Sequence, residues 1–169
     1  MRANGRVPRM RGLLVISASV VLGCWGLAAC GGGAGASKLC RQARQVGTLA
    51  VARISPATKY PVRFSFPAKV RVSDPEQARS VARALCALPV MPNGSMSCGS
   101  SSFTGWYKLT FMASGKRLPG VRMTNDCEEV RGLGRLRWVA RTPSFWRVLG
   151  TAMGLRHPDG ATFLDPPRS

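Results

Sequence analysis

Residues 62–72 and the segment that follows constrain the fold more than any other stretch of this chain. Val62, Phe64, Phe66, Ala68, Val70 and Val72 alternate with Arg63, Ser65, Lys69 and Arg71. A period of two places the apolar set on one face of a half-buried strand, interrupted at Pro67. The strand runs into Asp74-Pro75-Glu76-Gln77. Asp74 can cap a helix, Pro75 suits a first turn that needs no amide donor there, and Gln77 completes a capping box. Ala78, Val81, Ala82, Leu85 and Cys86 then recur at three- and four-residue spacing until Pro89 ends the pattern. This predicts an amphipathic helix from Pro75 to about Leu88.

The same alternations recur along the chain. Residues 38–45 fit a short helix or an extended lead-in, and residues 48–54 read as a first strand. Residues 106–113 alternate Tyr107, Leu109 and Phe111 with Lys108 and Thr110, turn at Ser114-Gly115, and return over 121–125, with Pro119-Gly120 marking an edge or bulge. After Gly132-Leu133-Gly134, a strand sets Leu136, Trp138 and Ala140 against Arg135, Arg137 and Arg141. A second helix opens at Thr142-Pro143 and carries Phe145, Val148, Leu149, Ala152 and Met153 to about Gly154. Residues 157–169, proline-rich and poor in apolar side chains, read as a loose tail. A sheet apolar on one face needs cover on that face only. The expected fold is therefore α+β: a two-layer domain over 46–156, with a mainly antiparallel sheet and two amphipathic helices on one face.

The N-terminus has a different layout. Arg2, Arg6, Arg9 and Arg11 precede an apolar run over 13–22, and small residues then lead to Cys30, the order of an export signal. Leu27-Ala28-Ala29-Cys30 resembles the lipobox of bacterial lipoproteins. The resemblance implies a signal peptide over 1–29 and a cut before Cys30. It also implies a diacylglyceryl group on that thiol and a membrane-held protein on the extracytoplasmic face, with residues 30–45 holding the lipidated cysteine and a flexible tether. Three other readings compete. Val21-Leu22-Gly23-Cys24 is lipobox-like, but Trp25 suits the position after the cut poorly and five cysteines would remain in an oxidising compartment. Ala34-Gly35-Ala36 before Ser37 fits cleavage for soluble secretion. Residues 13–29 as an uncleaved helix are at the short limit for spanning a membrane.

Without residues 1–29 the formal net charge falls from +18 to +14, because four arginines and no carboxylates are lost. An exported protein rarely meets nucleic acid, which leaves anionic lipid headgroups or an anionic cell-wall polymer as acidic partners. On the strand assignments above, Arg53, Arg63, Lys69, Arg71, Lys108, Arg122, Arg135 and Arg137 share the polar side of the sheet with hardly a carboxylate among them. A merely solvated basic surface accounts for the same charges, and the excess of arginine over lysine is also what a GC-rich genome produces. The sequence names no protein partner.

Cys40, Cys86, Cys98 and Cys127 follow Cys30, an even number for an oxidising compartment. Four cysteines allow three connectivities. Cys98 and Cys127 flank the hairpin and meet if the preceding loop folds back, which leaves Cys40 for Cys86. No catalytic residue, metal ligand set or cofactor motif is expected. The single histidine, His157, lies in the tail, no two cysteines have ligand-pair spacing, and Glu128 and Glu129 would face opposite sides of a strand. Gly132-x-Gly134 lacks the third glycine of a nucleotide loop.

The lipobox, Phe66-Pro67-Ala68-Lys69-Val70 before Asp74-Pro75, Leu85-Cys86-Ala87-Leu88-Pro89, Tyr107-Lys108-Leu109-Thr110-Phe111, Cys127 and Phe145-Trp146 together resemble the uncharacterised exported lipoproteins of actinobacteria. That resemblance implies no activity and no functional residue besides Cys30. Residues 98–128 are also similar to the secreted subtilisin-inhibitor-like family. That likeness implies a protease-binding loop at 97–101, although the spacing of Cys40 and Cys86 and the Phe145-Trp146 helix depart from the family.

Overall fold

The computed structural model describes residues 37–55, 63–92, 105–125, 127–140 and 142–164. Its strands are β1 (Val46–Ile54), β2 (Lys69–Val72), β3 (Trp106–Ala113), β4 (Lys116–Arg117), β5 (Val121–Thr124), β6 (Glu129–Arg131) and β7 (Arg137–Trp138). They form one antiparallel sheet in the order β2-β1-β3-β5-β6-β7, with β4 also on β3. The helices are α1 (Lys38–Arg41), α2 (Pro75–Ala87), α3 (Pro143–Ala152) and α4 (Gly160–Leu164). The fold is α+β, as the alternation of strands and helices implies.

The core follows the alternation. Leu49 and Val51 of β1, Tyr107, Leu109 and Phe111 of β3, and Val121 and Met123 of β5 point to one face and are buried. On that face they meet Ala78, Val81, Ala82 and Leu85 of α2, while α3 packs beside α2 with Phe145, Trp146 and Leu149. Asp74 caps α2, its carboxylate accepting from the amides of Glu76 and Gln77. Thr142 precedes α3 without making a side-chain cap. Val46 and Leu49 are both buried although three residues apart, because the register against β3 shifts between Val46 and Thr48 and makes Gly47 the extra residue of a bulge.

Three expectations need correction. The strand predicted over 62–72 is confined to β2. Pro67 has no amide to give a ladder, so residues 63–67 leave the sheet and turn Phe66 into the core, 5.3 Å from the Phe163 ring, while the Ala68 carbonyl still accepts from the Arg53 amide. Val62 lies outside the described residues. The tether predicted over 30–45 is already structured from Ser37: the Ser37 hydroxyl caps α1, Leu39 is buried, and Cys40 is bonded to Cys86.

The loose tail predicted from 157 is part of the core as far as Leu164. Asp159 caps α4 by accepting from the amide and hydroxyl of Thr162, which holds its carboxyl below the usual carboxylate range. Pro158 is buried in contact range of Gly150, where a Cβ would collide with it. Phe163 is fully buried and stacks on Trp146 at 5.0 Å. Its carbonyl accepts from the Tyr107 hydroxyl at 2.7 Å and the Asn125 amide at 3.3 Å. Phe163→Ala should therefore lower stability by about 3 to 5 kcal/mol, the usual range for removing a buried aromatic ring. Urea denaturation checks this, since a loose tail would leave the midpoint unchanged.

Candidate anion-binding face

Helices cover one face of the sheet, and the other carries the alternate residues of each strand. Register aligns the charges on it. Lys69 of β2 is opposite Ala52 of β1, which is opposite Lys108 of β3; Lys108 is opposite Arg122 of β5, and Arg122 is opposite Arg131 of β6. Four basic side chains thus stand on one line across five strands, all exposed. Arg71 follows on β2 opposite Ala50, and Arg117 of β4 lies opposite Met112. Lys108 and Arg122 are direct cross-strand neighbours, an arrangement that costs stability when the charges are alike.

Carboxylates do little to offset the row. Glu129 shares this face and pairs with Arg131 at 2.7 Å. Among the described residues no carboxylate pairs with Lys69, Arg71, Lys108 or Arg122. The Arg122 guanidinium instead lies 4.1 Å from the centroid of the Trp106 ring, a cation–π contact. Ile54, Trp106, Lys108, Gly120, Val121 and Arg122 line a hollow of about 270 Å³ at this point.

The expected basic face is thus only partly correct in its membership. Lys69, Arg71, Lys108 and Arg122 are on it, joined by Arg117 and Arg131. Arg63 is exposed ahead of β2, and Arg135 is exposed in the turn between β6 and β7, both outside the strands. Arg53 pairs with Tyr107, so it has the core-facing parity. Its guanidinium lies 3.6 Å from the Phe64 ring centroid and donates to the Phe66 carbonyl, and burial lowers its pKa from the ordinary arginine value.

Arg137 is the clearest correction. It is opposite Val130, a buried residue, and its guanidinium donates to the carbonyls of Cys86 and Leu88 at the end of α2. Val139, rather than Leu136 or Trp138, supplies the buried apolar side chain here. A cation at a helix C-terminus meets the carbonyls and the negative end of the helix dipole. It serves the fold, not the open face.

Cys40 and Cys86 form the expected disulfide, with Cα atoms 5.5 Å apart, and in the chain-entropy account a 46-residue separation gives about 4 kcal/mol. Cys127 is disulfide-bonded. Cys98, Cys30 and the loop at 97–101 lie outside the described residues. Among the described residues no group of three or more His, Cys, Asp or Glu side chains gathers as a metal site.

Glu129 opens β6, whereas Glu128 precedes the strand with a left-handed φ of +49°, so the two are not adjacent strand residues as expected. Burial raises the pKa of the Glu128 carboxyl, opposed by a hydrogen bond from the Trp146 side chain. No family model, curated protein or solved structure matches the chain.

Two outcomes follow from this geometry. A carboxyl whose folded pKa exceeds its unfolded value of about 4.3 holds its proton more tightly in the fold. Its stabilising contribution is complete below that value and is lost as pH rises through the folded pKa. Glu128→Gln keeps an acceptor for Trp146 and removes the ionisation, so it should melt higher than the native protein at pH 7. Melts at successively lower pH should show the difference vanish near pH 4. Lys108→Glu replaces a like-charge neighbour of Arg122 with an opposite one and should raise stability by about 0.2 to 1 kcal/mol in urea denaturation at low salt.

Proposed function

We propose that this chain is an exported lipoprotein of the kind the lipobox resemblance implies, anchored to the cell membrane through a diacylglyceryl group on Cys30. Its domain binds an anionic component of the cell envelope through the open sheet face, without catalysis. Support for the anchor is the order of arginines, apolar run and small residues before Cys30. Among the described residues no helix is long and apolar enough to cross a membrane. One observation carries the binding half: Lys69, Lys108 and Arg122 stand in register on an exposed face, and none of them has a carboxylate partner among the described residues.

A protein selected for stability alone gains by alternating charge across neighbouring strands, and this face does the opposite. The attraction is electrostatic, so salt weakens it over a screening length of about 10 Å at 0.1 M. A chain lacking residues 1–30 should sediment with vesicles of anionic lipid at low salt, remain in solution with neutral vesicles, and be released as salt is added. Equal sedimentation with both would remove the basic-face half. Cys30→Ala in the full chain should move the protein out of the membrane fraction after a high-salt wash, and unchanged retention would remove the anchor.

A further inference from the structure

The basic row has a direction, and the direction selects among anions; this inference rests on the reading that the open face binds anions at all. Lys69, Lys108 and Arg122 lie on a cross-strand line, with Ala52 in the gap and Arg131 beyond the last. At about 4.8 Å per strand the line from Lys69 to Arg122 is about 14 Å long. A single small anion meets one or two of these charges, whereas a chain of anions laid across the strands meets the whole line at once. The gain is that of several contacts made by one ligand.

The apolar side chains separate a polymer from a bilayer. A surface held on lipid by more than charge inserts large apolar side chains beneath the headgroups. Here the exposed large hydrophobic residues among those described are Val90 and Leu136, at the β7 end of the sheet, beyond Arg131 and off the line from Lys69 to Arg122. Trp106, the aromatic residue within the row, is half-buried beneath the Arg122 guanidinium.

We propose that the open face binds a linear polyanion, laid across β2, β1, β3 and β5 along Lys69, Lys108 and Arg122. The hollow between Ile54, Trp106, Lys108 and Arg122 seats one repeat of that chain. Its anionic groups lie between Lys108 and Arg122 and relieve the repulsion the empty face bears.

The test titrates the chain lacking residues 1–30, which forms a compact unit of its own over Gly32–Ser169. The probes are long-chain inorganic polyphosphate, orthophosphate and anionic vesicles, at equal phosphate and low salt. Polyphosphate should bind at least tenfold tighter per phosphate than the vesicles and strip the domain from them, while orthophosphate does neither. Lys108→Glu with Arg122→Glu should weaken polyphosphate binding at least tenfold. Arg147→Glu with Arg156→Glu, the same charge change at exposed positions on α3 and the turn after it, should weaken it less than threefold. Equal affinity for vesicles and polyphosphate would overturn the polymer and leave the basic face standing. Equal losses in the two double variants would overturn the row. Binding to none of the probes would instead remove the anion-binding reading itself.

Discussion

Everything in this domain depends on burying one face of an antiparallel sheet and leaving the other wet. β1 and β3 run side by side over eight paired positions at the centre, and α2 lies across their apolar side. The alternation of a strand then fixes two properties together. Burying Tyr107, Leu109 and Phe111 exposes Lys108, and burying Val121 and Met123 exposes Arg122. The core and the charged face are two consequences of one period-two pattern. A shift of one residue in register would put the lysines and arginines against α2.

The edges of the core are closed by polar groups rather than by more apolar surface. Arg137 serves the carbonyls at the end of α2, while the Tyr107 hydroxyl and the Asn125 amide serve the Phe163 carbonyl at the end of α4. Helix ends buried in a core leave carbonyls that must find donors. Burial pushes the Tyr107 hydroxyl well above its ordinary pKa, so it stays protonated and able to donate. Gly132 plays a similar closing role at the β6–β7 turn. Its φ of +96° is left-handed, and a Cβ there would sit 2.5 Å from the Gly120 carbonyl oxygen.

Like charges aligned across strands are a cost that function explains better than folding does. Natural proteins retain such local losses at sites that bind something of opposite sign, where relief arrives with the ligand. The cation–π contact of Arg122 with Trp106 fits this view, because a guanidinium already held against a ring pays less ordering cost on binding.

Periodicity and capping chemistry were enough to determine the α+β class, the bounds of α2 and α3 to within a residue or two, and the apolar face of β3. These signals are local: a side chain at i and its partner at i+2 or i+4 report on one element. The Asp159-x-x-Thr162 cap ahead of Phe163 was also in the sequence, hidden among prolines. Tertiary structure alone decided that Arg137 and Arg53 face inward. Alternation over 135–141 puts Leu136, Trp138 and Ala140 on the apolar side, and what turns Arg137 inward instead is the end of α2, where the Cys86 and Leu88 carbonyls need a cation. It also decided that Lys69, Lys108 and Arg122 share one line, since they are far apart in the chain and only strand order and register bring them together.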